Sequence, residues 1–167
     1  MRTANPSRGR SLWALLLAPY VLLAGCGFHL QGRVTLPRSL ANARIEAIDQ
    51  QSDFYTSLRT ALHAAGARLD GPTEDSATIR ILTDSSSERV ITVSARNTPT
   101  AYLLDYRVKL AVEYQGHELL PAEEHTLTRE YSFDETELLA KERESEVLRQ
   151  ALADDLVALV MRRLAAL

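Results

Sequence analysis

Between Ala101 and Tyr114 every even position is apolar or aromatic (Tyr102, Leu104, Tyr106, Val108, Leu110, Val112, Tyr114), while Asp105, Arg107, Lys109 and Glu113 stand at odd positions. A strand sends successive side chains to opposite faces, so this segment must lie in a sheet that is dry on one side and wet on the other. Such a strand needs neighbours. Gln115-Gly116-His117 is a short loop containing glycine, which predicts that Leu119 to Phe133 returns as an antiparallel partner. In that partner Leu127, Tyr131 and Phe133 share a face with Arg129. Upstream, Ala77, Ile79 and Ile81 alternate with polar residues and start a third strand. Asp84-Ser85-Ser86-Ser87 predicts a bulge or tight loop before Arg89 to Ser94 resumes extended structure. Ala43 to Ile48 reads as a short fourth strand with Ile45 and Ala47 on one face.

Helices must cover the dry face, and two segments have the period for it. Ser52 or Asp53 caps a helix in which Phe54, Leu58, Ala61, Leu62 and Ala65 form one stripe, and Gly66 ends it as a left-handed residue. Gly71-Pro72 then separates helix from strand. Asp134 with Glu137 makes a capping-box-like start to a second, longer helix, whose apolar stripe is Leu148, Leu152, Leu156, Leu159, Val160 and Leu164. The predicted fold is α+β: a two-layer sandwich with a mainly antiparallel four-stranded sheet and two helices packed on one face. Residues 43–167 form it as a single domain.

The N-terminus has a different character. Met1 to Arg10 carries Arg2, Arg8 and Arg10 without an acid, and Leu12 to Ala24 is apolar apart from Pro19. This run is shorter than the ~20 apolar residues a membrane-spanning helix needs, and it ends in small residues, so 1–25 reads as a signal peptide that is removed. The chain's one cysteine follows at once. Leu23-Ala24-Gly25-Cys26 resembles the lipobox of bacterial lipoproteins, and the resemblance implies a Cys26 thiol joined to diacylglycerol and an acylated Cys26 amine. Two or more acyl chains anchor a protein stably, and the thioether removes an otherwise unpaired thiol from an oxidising compartment. The alternative is an ordinary secretory peptide ahead of a free thiol. Gly27, where an Asp is the usual inner-membrane retention signal in such lipoproteins, points to the outer membrane. Residues 26–42, with Pro37, read as an extended lead-in.

The net charge is −3 and the leader removes three arginines with it, so the mature chain is more acidic still. Non-specific nucleic-acid binding is therefore excluded, and an anionic ligand must be met by a local basic patch. Arg89, Arg96, Arg107 and Lys109 could form such a strip, but Asp105 and Glu113 dilute it and favour a mixed-charge strand face. Tyr102, Tyr106 and Tyr114 read as core residues with hydroxyls at the rim. Glu123-Glu124-His125 lacks metal-ligand spacing, and Ser85-Ser86-Ser87 lacks the glycine elbow of a nucleophilic serine. No metal, cofactor or catalytic residue is predicted.

At Cys26-Gly27-Phe28-His29-Leu30-Gln31-Gly32 the sequence resembles the start of mature members of the LptE family of lipopolysaccharide-assembly lipoproteins, which commonly begin Cys-Gly-aromatic-His-Leu-Arg; Gln31 departs from that Arg. The predicted order of strand, helix, three strands and helix is also the family's. So are the stretches Arg96-Asn97-Thr98-Pro99-Thr100-Ala101-Tyr102 and Leu139-Ala140-Lys141-Glu142. The resemblance implies a non-enzymatic protein, anchored to the outer membrane on its periplasmic side, that plugs and helps fold the LptD β-barrel from inside its lumen and binds lipopolysaccharide. It also implies that Arg96 and Lys141 contact lipopolysaccharide, whose phosphates need charge-assisted donors. Two other readings remain open: a different outer-membrane lipoprotein serving barrel assembly or envelope tethering, and a periplasmic lipoprotein hydrolase.

Overall fold

The computed structural model describes residues 35–69, 76–132 and 138–167. Side chains are described throughout these ranges except at 138–141. Cys26, Phe133 and the expected Asp134 and Glu137 helix start lie outside the described residues. A 3₁₀ turn at Arg38–Leu40 leads into strand β1 (Ala43–Glu46), helix α1 (Asp53–Ala64), strands β2 (Ala77–Val93), β3 (Pro99–Tyr114) and β4 (His117–Ser132), and helix α2 (Leu138–Ala165).

The sheet has the order β1-β2-β3-β4, with β1 parallel to β2 and the other neighbours antiparallel. Gln115 and Gly116 join β3 to β4 with φ of 50° and 77°. Two positive φ values give the reversed turn whose twist matches a two-residue hairpin, and Tyr114 pairs with His117 across it. β1 is shorter than its predicted span. It pairs only with Ala77–Arg80 and then turns away toward α1, which leaves Ile48 96% exposed. Among the described residues, no strand pairs with β2 beyond Arg80 on that side.

Of the bulge or tight loop predicted at Asp84–Ser87, the loop does not form and the bulge lies just upstream. β2 runs unbroken from Ala77 to Val93, with the irregularity earlier, between Ile81 and Thr83. Leu82 is the extra residue of a bulge, and a bulge reverses which positions face the core. Before it Ala77, Ile79 and Ile81 are buried; after it Asp84, Ser86, Glu88 and Val90 pair with Val108, Tyr106, Leu104 and Tyr102 on the helix-covered side. Further register shifts follow only at the far end, between Val90 and Val93, so the ladder is continuous through the serine run.

Both helices cover the even face of β3. Ser52 caps α1 by accepting the Tyr55 N–H at 3.1 Å, and Gly66, at φ 92°, closes the end as a left-handed residue. Phe54, Leu58 and Leu62 are fully buried on α1, as are Leu156 and Leu164 on α2, against Val108, Leu110 and Val112. Ion pairs fasten the α2 flank to β4: Arg129 to Asp155 at 3.3 Å and Arg163 to Glu123 at 3.0 Å. The α+β sandwich with two helices on one face is thus the observed architecture. Removing a fully buried leucine side chain leaves a cavity, so Leu156→Ala should cost about 3 kcal/mol of stability, read as an earlier urea midpoint with unchanged slope.

Candidate functional site

Three regions carry the polar chemistry. The first is the wet face of the sheet. Odd residues of β3 point away from the helices and lie among exposed or half-buried side chains of both signs. Arg80 is bidentate to Glu113 at 3.1 Å and reaches Glu46 at 3.5 Å; Arg107 is 3.5 Å from Glu124, and Arg89 is 4.0 Å from Asp105. This is a mixed-charge ladder, as the alternation of signs predicted, and not a basic strip.

The second region is the turn between β2 and β3. The Ser94 N–H donates to the Thr98 carbonyl at 2.7 Å, and the Ser94 hydroxyl accepts from the Arg96 and Thr98 amides at 3.3 Å each. Asn97 adopts φ 62°, a left-handed value that asparagine tolerates. Arg96 is exposed at the apex. Half-exposed Val90, Ile91 and Val93 precede it, so this end of the sheet is apolar next to a cation. Lys141 lies in the first turns of α2, whose Ser145 hydroxyl bonds Glu88 of β2 at 3.0 Å. The helix start therefore passes over the half of β2 that ends in the Arg96 turn.

The third region is a seam of hydroxyls and carboxylates under the helices, which the sequence did not disclose. The Tyr106 hydroxyl donates to Asp84 at 2.9 Å and accepts the Phe54 N–H at 3.4 Å, while the Ser52 hydroxyl donates to the other oxygen of Asp84. The Tyr131 hydroxyl donates to Glu88 at 2.5 Å, and its ring stacks on Tyr102 at 5.5 Å. At the Asp84 end the seam opens into a cleft of about 290 Å³ between β2 and the β1–α1 loop. Asp49, Asp53 and Asp84 line it, with Arg149 bonded to Asp53 at 2.8 Å. The signal in the sequence was the even-numbered pair Asp84 and Glu88. Reading it required the phase reversal at Leu82, which no local pattern announces.

Glu123, Glu124 and His125 diverge: Glu124 lies on the wet face with Arg107, and Glu123 lies on the helix side with Arg163 and with His125 Nε2 at 3.6 Å. Ser85, Ser86 and Ser87 alternate along β2, with Ser86 on the helix side. Among the described residues no group of three or more His, Cys, Asp or Glu is placed to hold a metal ion, and no helix is long and apolar enough to cross a membrane.

Fold and site define a small α+β module: an open mixed sheet, helices on one face, and a cationic turn at one end. Solved lipoprotein structures share the fold. The rare lipoprotein B of Shewanella oneidensis superposes with a TM-score of 0.67 at 22% identity, covering 75% of this chain and 94% of that one. The solution structure of an uncharacterized lipoprotein B from Nitrosomonas europaea gives a TM-score of 0.67 at 25% identity, covering 84% and 91%. Residues 40–164 match the family model described as LptE, lipopolysaccharide-assembly, and the chain belongs to that family. The LPS-assembly lipoprotein LptE of Yersinia enterocolitica (serotype O:8 / biotype 1B) is 28% identical over 159 residues, 94% of this chain and 76% of its own length.

Burial first, then the charge of Asp84 and the bond to it, raise the Tyr106 phenol above its ordinary value of 10.0. The folded chain prefers the neutral phenol, so this contribution is complete below about pH 10 and is lost as pH rises beyond it. Tyr106→Phe should cost about 1–3 kcal/mol at neutral pH, because Asp84 and the Phe54 amide lose a partner. It should also flatten the fall in stability above about pH 10, which denaturant titrations from pH 7 to 11 would measure.

Proposed function

We propose that this chain is a non-enzymatic assembly lipoprotein of the outer membrane that occupies the lumen of the LptD β-barrel, helps it fold, and contacts lipopolysaccharide during delivery to the cell surface. Family membership over residues 40–164 carries this reading. The chemistry supports it. The uncovered sheet face is a ladder of paired charges, which suits the polar lumen of an outer-membrane barrel better than a lipid or protein-core environment. The turn carrying exposed Arg96 follows half-exposed Val90, Ile91 and Val93 on β2, a neighbourhood of donor and apolar surface that suits a phosphorylated, acylated lipid.

In this reading residues 1–25 are removed, Cys26 carries the lipid anchor, residues 26–42 link it to the domain at 43–167, and Arg96 and Lys141 donate to lipopolysaccharide phosphates. Anchoring and enclosure are separate retention devices. Replacing Cys26 should release the isolated protein from membranes while leaving barrel-bound copies in place, measured by fractionation with and without LptD.

Arg96→Glu combined with Lys141→Glu should weaken lipopolysaccharide binding about tenfold, or 1.4 kcal/mol, with thermal unfolding nearly unchanged because exposed charges contribute little to stability. Unaltered affinity in that double variant removes both residues as contacts. Co-purification under mild detergent tests the partner: elution alone while LptD is present overturns the plug reading. Depletion separates it from a general barrel-assembly lipoprotein, since here surface lipopolysaccharide should fall before other barrels fail. Envelope substrate turnover abolished by a single His or Ser substitution would mark a hydrolase instead.

A further inference from the structure

Among the described residues, β1 and β2 leave a column of the sheet unfilled. β1 occupies the position beside β2 only as far as the pairing of Glu46 with Arg80, then departs toward α1. From Leu82 onward β2 continues with its outer backbone groups facing that vacated position. Long, uncovered strand edges pair with other extended chains unless bulges, prolines or inward charges blunt them. β2 has no proline between Leu82 and Ser87, its bulge sits at the start of the stretch, and its one inward charge, Asp84, is held by Tyr106 and Ser52 and faces the open cleft.

Side chains beside the column specify what would fill it. The cleft opens onto Asp84, Ser85 and Ser86 from the side where β1 left. Of its charges, Arg149 is bonded to Asp53, while Asp84 receives only neutral hydroxyls and exposed Asp49 accepts only the Gln51 amide at 2.8 Å. Two negative charges therefore remain without a cationic partner among these contacts. Ile48, 96% exposed, stands at the loop that follows β1. A second copy of this chain is a poor occupant: antiparallel self-pairing about Ser86 sets Asp84 opposite Glu88, and like charges directly opposed destabilise a ladder.

We propose that the Leu82–Ser87 edge of β2 receives an extended segment of a partner polypeptide, which continues the sheet in the column β1 vacates and seats a lysine or arginine in the Asp49/Asp84 cleft. Backbone pairing holds the segment; the acidic cleft selects its residue. This assignment does not rest on the lipopolysaccharide reading.

The probe is a nine-residue peptide of alternating threonine and valine with one central arginine, added to the full chain in detergent micelles. Binding should shift the amides of residues 82–87 and 49–53. N-methylation along one edge of the peptide should abolish binding and along the other edge leave it intact, because only one edge meets β2. Exchanging the central arginine for glutamate should weaken binding at least tenfold, and Asp49→Asn should shrink that discrimination without altering the fold. The proposal is overturned by no binding, by equal binding of both N-methylated forms, by shifts centred on the wet face, by indifference to the central residue, or by self-association of the chain through β2 that excludes the peptide.

Discussion

One-sided burial of β3 is the constraint from which the remaining structure follows. Tyr102, Leu104, Tyr106, Val108, Leu110 and Val112 all lie on one face and are all nearly inaccessible to water. A sheet that dries one face must find apolar cover for it, and α1 and α2 supply that cover with their own buried stripes. Among the described residues the opposite face has no second layer and satisfies itself with the Arg80, Arg89 and Arg107 ion pairs. Architecture and surface chemistry are two results of the same alternation.

Much of this was legible from periodicity. The strands, the cap at Ser52, the left-handed Gly66 and the short hairpin at Gln115-Gly116 all follow from spacing and turn chemistry that act over a few residues. Alternation also divides Glu123-Glu124-His125, sending Glu124 to the wet face and leaving Glu123 and His125 on the helix side. What escaped the sequence depends on events between elements. A one-residue bulge at Leu82 leaves no compositional mark, so the bulge or tight loop was expected at the serine run after it. The hydroxyl–carboxylate seam then stayed hidden, because it needs Asp84 on the helix side and Ser52 and Tyr106, from distant parts of the chain, beside it.

The Arg96 turn was visible as a motif but not as a geometry. Sequence placed it at a bend; structure adds the Ser94 hydroxyl that gathers two amides and the exposed valines and isoleucine at its base. The acidic cleft lies elsewhere, at the other end of the outer half of β2, and carries the opposite charge. The module thus presents two chemically distinct ends along a single strand.

The bulge has a further consequence for how β2 tolerates change. Facing inverts at Leu82: odd positions turn to the helix side before it and are buried, while even positions turn there after it, where Asp84 is half-buried and Ser86, Glu88 and Val90 are exposed. A saturation scan of the strand would be strict at Ala77, Ile79 and Ile81 and permissive from Ser85 onward. Deleting Leu82 would remove only the extra residue, leaving Thr83 opposite Lys109 and Asp84 opposite Val108, so both carboxylates would keep their side and the strand would lose its bend rather than its seam.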